Sequence, residues 1–326
     1  MLNGIELHPL GSSSAGYVAQ RLGSNAHSAF VLKINNHQAI IDAGEGFQKA
    51  FFKNGHNFNK IDFICITHLH PDHFIGLIGF LSSIGMQGRK KDLTLIVPKG
   101  TDKILDSFFE NAGFHMNYKL HFNIIPEEEK ACVWESRNLK VSSIPLAHRI
   151  PCYGFLFEEK VTQPKFIKAK AKHLPERAFG HFSRQENYTD EQGKNYLWED
   201  YGFLPPPLRY LHLTDTLFLP KWAAELPPVE MIYHESTFLA THENKAKRTY
   251  HSTAEEAGKF AQINQAHTLV LGHFSGRYPN LNHFKEEAEK VFPRVFNALE
   301  NSCIYLRPQY DGYDGTERQL TIGQEF

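Results

Sequence analysis

The sequence predicts an α/β fold in which short apolar strands alternate with helices and gather their ends along one edge of a sheet sandwich. Three observations lead there. Apolar, β-branched runs recur along the chain and end in His or Asp, as in Ile61 to His68, Leu139 to His148, Arg209 to Asp215 and Thr268 to His273. Helical stretches separate them, at Phe74 to Ile84, Gly100 to Ala112 and Ala254 to Asn264. The second half repeats the plan of the first, and 326 residues with 41% hydrophobic content can bury a substantial core.

Gly4 to Leu10 reads as the first strand, followed by the Gly-Ser-Ser-Ser-Ala-Gly turn at 11 to 16. Its small residues permit either a close backbone approach to a ligand or a plain connection. Ser28 to Ile34 and Gln38 to Asp42 form a hairpin around Asn35-Asn36. Asp42 then sits at a strand terminus, where it can orient a ligand histidine or cap a turn. Leu93 to Val97, Leu120 to Ile125, Cys152 to Phe157 and Val229 to Tyr233 are further strands. Ser252-Thr-Ala-Glu255 reads as a capping box opening the helix from Ala254, with His251 just before it.

The chemistry concentrates in Thr67-His-Leu-His-Pro-Asp-His73. His68, His70, Asp72 and His73 lie within six positions at a strand-to-helix junction, and Pro71 stops the strand from continuing. Imidazole and carboxylate suit zinc or a similar first-row ion, and three His with an Asp can be divided between two neighbouring ions. If the strand ends converge, His148, Asp215 and His273 can join that group.

Residues 158–207 differ in texture, with many Lys, Glu, Asn and aromatic residues, little periodicity, and a Leu204-Pro-Pro-Pro207 finish. They are expected to be an inserted arm in a single domain spanning 1–326. A net charge of −1 carries no global basic field for nucleic acid, though a local groove is compatible with it. Cys65, Cys132, Cys152 and Cys303 form no C-x-x-C pair, which fits reduced thiols in a cytoplasmic protein. No signal-peptide pattern and no apolar run of membrane-spanning length is present, so no membrane attachment is expected.

The His-x-His-x-Asp-His run resembles the signature of the metallo-β-lactamase superfamily. Its companions resemble the ribonuclease Z branch: Asp42-Ala-Gly-Glu-Gly46, His148 before Tyr153-Gly, Thr214-Asp-Thr216, His234-Glu-Ser-Thr-Phe238, His251-Ser-Thr253 and Leu271-Gly-His-Phe-Ser-Gly-Arg-Tyr278. The resemblance runs from about Leu7 to about Phe292. It implies a four-layer αβ/βα sandwich with two zinc ions, manganese or iron being possible substitutes. His68, His70 and His148 would hold one ion, Asp72, His73 and His273 the other, and Asp215 would bridge them. Two such ions polarise a phosphoryl oxygen and lower the pKa of bound water for in-line attack. Asp72 would also accept the water's proton. His251 would protonate the leaving oxygen, oriented by Glu235 or His234, while Ser275 and Arg277 would contact phosphate.

The expected substrate is the 3′ trailer junction of precursor tRNA, and the expected assembly a homodimer in which one subunit's arm serves the other's site. Two substrate-facing segments depart from the family pattern. The arm lacks Gly-Pro and offers Leu174-Pro-Glu-Arg-Ala-Phe-Gly-His-Phe-Ser183 instead, and Tyr17 to Asn25 does not reproduce the usual Pro-Thr and Arg-Asn. Lys165, Lys168, Lys170, Lys172 and Arg177 remain available for phosphates, with Phe179, His181 and Phe182 for stacking. A phosphodiesterase acting on a cyclic nucleotide or another RNA is the alternative. A non-catalytic RNA- or metal-binding protein would be expected to lack a ligand, and all seven positions are filled.

Overall fold

The computed structural model describes residues 4–14, 26–127, 129–160, 163–310 and 319–326, so the Tyr17 to Asn25 segment falls outside it. Strands β1 (Ile5–Gly11), β2 (Ala29–Ile34) and β3 (His37–Ile41) form an antiparallel meander. Its β2–β3 turn has positive φ at both Asn35 and Asn36, the conformation that a two-residue hairpin requires and asparagine tolerates. The chain continues through α1 (Phe47–Lys53), β4 (Phe63–Cys65), α2 (Pro71–Phe74), α3 (Gly76–Met86), β5 (Leu93–Val97), α4 (Thr101–Asn111) and β6 (Leu120–Ile124), with β3 to β6 all parallel.

The second sheet starts with β7 (Ala131–Glu135), β8 (Leu139–Pro145) and β9 (Tyr153–Glu159), which are antiparallel. The arm holds β10 (Lys165–Phe166), α5 (Lys168–Ala171), α6 (Glu176–Phe182), β11 (Tyr188–Thr189), β12 (Asn195–Tyr196), α7 (Trp198–Tyr201) and β13 (Gly202–Phe203). Then come β14 (Arg209–Leu213), α8 (Pro220–Glu225), β15 (Met231–Glu235), α9 (Glu243–Thr249), α10 (Ala254–Asn264), β16 (Thr268–Gly272), α11 (Asn282–Ala288) and β17 (Val295–Asn297), followed by β18 (Cys303–Gln309) and β19 (Gln319–Glu325).

The first sheet runs β19-β18-β1-β2-β3-β4-β5-β6 and the second β17-β16-β15-β14-β9-β8-β7. Leu7, Phe30, Phe63, Val141, Phe155, Tyr210 and Tyr233 meet between them in one buried cluster. A second cluster packs α1, α3 and α4 on the outside of the first sheet, and a third packs α8 to α11 on the outside of the second. The expected four layers are therefore present. Each fully buried large aliphatic or aromatic side chain in them stabilises the fold by about 1.5–3 kcal/mol.

This topology brings the functional ends together. The parallel β3 and β4 deliver Asp42 and Thr67-His68 to the same edge, where the Asp42 amide donates to the Cys65 carbonyl at 2.8 Å. The parallel β14, β15 and β16 likewise deliver Asp215, Glu235 and His273. A hydrogen bond from the Tyr153 amide to the Thr67 carbonyl, 3.0 Å, joins the two edges.

Three local readings need correction. The helix after the metal loop starts at Pro71, not Phe74, so Asp72 and His73 occupy its first turn; proline is well suited to a helix start because its missing N–H would be unpaired there anyway. The capping box of α10 is Thr253 with Glu256, one residue later than expected. Ser252 cannot serve, because its hydroxyl donates to the Thr216 carbonyl at 2.7 Å and its amide to Glu235 at 2.9 Å. In the arm, Phe182 is fully buried with Ala178 and Tyr196, and Phe166, Tyr188, Trp198 and Tyr201 pack around them. Phe182 is thus core rather than a stacking platform, half-buried Phe179 packs on Phe166, and Arg177 is paired with Glu191 at 3.0 Å. Lys168, Lys170 and Lys172 do stand exposed on and just after α5.

Candidate active site

Every histidine expected at the centre points one ring nitrogen into it, and for most of them a hydrogen bond on the other nitrogen sets which one. His73 Nδ1 lies 2.7 Å from Asp42, an acceptor only, so it must donate and leave Nε2 facing inward. Thr67 Oγ1 lies 2.9 Å from both Asp42 oxygens and donates there, which leaves a lone pair for the N–H of His68 Nδ1 at 3.0 Å. Glu235 Oε2 receives the Thr237 hydroxyl at 2.8 Å, and that oxygen accepts from His273 Nδ1, also at 2.8 Å. His148 Nδ1 donates to the Tyr250 carbonyl at 3.1 Å. His70 is the exception, presenting Nδ1.

The inward atoms form two groups. His68, His70, His148 and Asp215 offer donors all within 4.8 Å of one another, as do Asp72, His73 and His273. His68 Nε2 is 3.0 Å from His70 Nδ1, which is 3.3 Å from His148 Nε2. In the second group, His73 Nε2 and His273 Nε2 are 3.3 Å apart, and Asp72 lies 3.7 and 3.6 Å from them. Nitrogens about 2.0–2.1 Å from a tetrahedral ion lie about 3.3 Å apart, so the spacing fits. Asp215 spans the groups: Oδ2 is 3.7 and 3.8 Å from His68 and His148, while Oδ1 is 3.6 and 3.2 Å from His73 and His273.

The electrostatics call for positive charge here, supplied by a proton or by a metal cation. His73 and His273 both commit Nδ1–H outward, so as neutral rings they turn two lone pairs on each other across 3.3 Å. Burial alone pulls His73 down, but Asp215, Asp42 and Asp72 outweigh it and raise the imidazole to about 10. In the other group burial holds His68 well below the usual imidazole range, helped by the neighbouring His73. Asp215 stays far below the ordinary carboxylate range despite burial, because His273, His73, His251 and His68 surround it.

A cavity of about 390 Å³ opens over the groups, lined by His70, Asp72, His148, Asp215, His251 and His273 among others. His251 donates Nδ1–H to Glu235 at 3.0 Å and lies 4.0 Å from Asp215. Burial opposes its protonation, but Glu235 and Asp215 prevail and raise it to about 9. His234 does not share this role: its ring packs 5.3 Å from Phe260 in the helical layer. Ser275 lines the cavity; Arg277 does not, and its guanidinium sits 5.4 Å from the ring of Phe238, which does.

Sequence reasoning passed over Thr67, Thr237 and Arg149. Arg149 lines the cavity next to His148, and only its adjacency to a strand-end histidine marked it. Ser14 also lines the cavity and donates to the Phe274 carbonyl at 3.2 Å. The Gly/Ser turn thus locks onto the loop that carries His273. Close approach elsewhere depends on Gly44 and Gly76: a Cβ on Gly44 would lie 2.2 Å from the Asp72 carbonyl, and one on Gly76 2.3 Å from the Gly44 carbonyl.

Comparison with known proteins agrees with this geometry. A ribonuclease Z of Porphyromonas gingivalis is 35% identical over 313 residues, covering 92% of this chain and 98% of its own. The chain belongs to the ribonuclease Z family. A ribonuclease Z of Cytophaga hutchinsonii is 34% identical over 320 residues, covering 95% and 99%. The human short-form tRNase Z shares the fold at a TM-score of 0.65, with 22% identity and coverage of 92% and 98%. Residues 5–178 also match the family model described as anti-Pycsar protein Apyc1. As a ribonuclease Z-like protein of metallo-β-lactamase fold, the chain is a metal-dependent hydrolase.

One expectation follows for the outer hydrogen bonds. Asp42→Asn keeps the shape but loses a carboxylate on which His73 and Thr67 both depend. Metal affinity should fall about 10–100-fold, measured by competition with a chromogenic chelator; unchanged affinity would show that Asp42 serves packing alone.

Proposed function

We propose that the protein is a dinuclear-metal endoribonuclease that cleaves the 3′ trailer from precursor tRNA. The observation that carries this reading is the pairing of two donor groups across Asp215 with His251, held by Glu235, in the same cavity. His68, His70 and His148 hold one ion and Asp72, His73 and His273 the other; zinc suits the nitrogen-rich set best. When bound, the ions supply phosphoryl polarisation and water activation.

The chain's own groups do the rest. Asp72, at the cavity wall, accepts the proton of the attacking water. His251 gives its proton to the leaving 3′ oxygen, with Glu235 holding the ring by Nδ1 and favouring its charged form before the transfer; solvent returns the proton afterwards. Ser275 and Arg149 meet phosphate inside the cavity, and Arg277 meets the next phosphate outward over Phe238. The whole chain works as one domain with its arm at about 158–207 directed to RNA through Lys168, Lys170 and Lys172.

A second reading keeps this chemistry with a smaller phosphodiester. It is favoured by the arm, whose aromatic residues fold into a core of their own, and by the absence of Gly-Pro. The protein is assigned to the cytoplasm on its four free cysteines; among the described residues no helix is long and apolar enough to cross a membrane. A homodimer is supported by the groove along α4, where Ile104 and Phe108, each more than 40% exposed, line one surface with Ile78.

Metal-loaded protein should cut a precursor tRNA at the trailer junction, and Asp72→Ala should abolish cutting. If an aryl phosphodiester is hydrolysed while the precursor stays whole, the tRNA assignment fails and the second reading stands. His251→Ala should lower kcat on RNA by about 10²–10⁴ but much less on an aryl diester, whose leaving group needs no proton; equal losses on both would remove the general-acid role. The sign of the pH dependence follows from the raised pKa: the acid form is present at neutrality and is lost as pH rises through about 9. Bound cations shift that limb downward, never up. Phe108→Glu should turn a dimer into a monomer in sedimentation, whereas an unchanged sedimentation coefficient would place any interface elsewhere.

A further inference from the structure

A second set of metal-binding side chains lies on the opposite face of the first sheet from its core. On β1, Ile5 and Leu7 point into the cluster between the sheets, so Glu6 and His8 alternate to the outer face. The antiparallel register of β1 with β18 places Leu7 beside Ile304 and Glu6 beside Tyr305, which brings Cys303 next to His8. The result is a Glu, a His and a Cys, none of which takes part in the site described above.

Their spacing is that of a metal site. His8 Nε2 is 3.3 Å from Glu6 Oε2 and 3.7 Å from Cys303 Sγ, and all three donors lie within 4.8 Å of one another. On a tetrahedral zinc ion, with sulfur at about 2.3 Å and nitrogen at about 2.0–2.1 Å, the sulfur–nitrogen separation is about 3.6 Å. The trio is mostly buried, with side-chain exposures of 13% for Glu6 and 18% for His8. An independent sign comes from His56, whose ring stands edge-on to His8 at 5.1 Å while its buried Nε2 has no hydrogen-bond partner. The competing interaction is also visible: Lys33 reaches the same Glu6 oxygen at 3.1 Å, and Arg307 the other at 3.5 Å.

We propose that Glu6, His8 and Cys303 bind a zinc-like, thiophilic divalent ion that clips the first strand to β18. Neutral imidazole, thiolate and carboxylate form a borderline-soft donor set that favours zinc over magnesium or calcium, and a fourth position is left for water. Lys33, a third exposed, swings into solvent when the ion takes its place.

Cobalt substitution tests this independently of activity. The active-site donors are nitrogen and oxygen, so a thiolate-to-cobalt charge-transfer band in the near ultraviolet reports this second site. Wild-type protein should show the band and bind one metal equivalent more than Cys303→Ser. The band should vanish in Cys303→Ser and in His8→Ala and survive in Cys132→Ser. Precursor cleavage should be unchanged in Cys303→Ser. Lys33→Met, which removes the competing ammonium, should tighten zinc at this site several-fold. The proposal is overturned if wild type lacks the band, if Cys303→Ser keeps it, or if Lys33→Met leaves the affinity no higher.

Discussion

A carboxylate taken fully out of water must have its lone pairs met by donors, and the need to satisfy Asp42 organises much of this structure. Its donors are the Thr67 amide and hydroxyl, the Ser28 hydroxyl and His73 Nδ1. Those groups come from the residue before β2, from the loop after β4 and from the first turn of α2, so the charge can be buried only when three segments are in place. Hydrogen bonds to a charged group contribute about 1.5–3 kcal/mol each, which offsets the cost of holding Asp42 at φ 59°. The same bonds decide which nitrogen of His68 and His73 faces the centre.

The second half of the chain repeats the device. Glu235 is fully buried at the end of β15 and receives the amides of Thr216, Thr237 and Ser252 together with His251. Each carboxylate orients one imidazole directly and another through a threonine hydroxyl, Asp42 through Thr67 and Glu235 through Thr237. Each half also carries a non-glycine residue forced to positive φ at a strand end, Asp42 and His273. The two halves differ in what they do with the arrangement. Asp42 orients only His68 and His73, both proposed metal ligands, whereas Glu235 ties His273 to His251, the proposed proton donor.

What could be read in advance follows the range over which each signal acts. The donor-bearing strand ends were legible because apolar runs and clustered histidines are local patterns. The convergence of His148, Asp215 and His273 on that cluster is a tertiary fact, legible only because the ends repeat. Thr67 and Thr237 were passed over because a threonine after a strand is common, and only the buried carboxylate beside it gives it a task. The slip in the capping box has the same origin: Ser252 and Thr253 are equivalent as helix caps, and the distant Glu235 and Thr216 decide between them. The arm misled for the opposite reason, since aromatic residues in a polar segment can face RNA or one another, and here Phe182 and Tyr201 face one another.

The separation of these layers bears on substrate choice. The groups proposed for phosphodiester cleavage, the two donor sets with Asp72 and His251, are anchored on two sheet edges locked together by the Tyr153–Thr67 hydrogen bond. The arm proposed to recognise RNA has its own small core and meets the body at Tyr310, against which the Phe203 ring is tilted and over which Lys165 lies 4.1 Å from the ring centroid. Because the arm's internal packing does not involve the metal groups, its sequence can drift without disturbing the chemistry. With the attacking chemistry held in the body, the leaving group is where a change in the arm can act. His251 and Arg149, both on the cavity wall, are the groups that meet that change first.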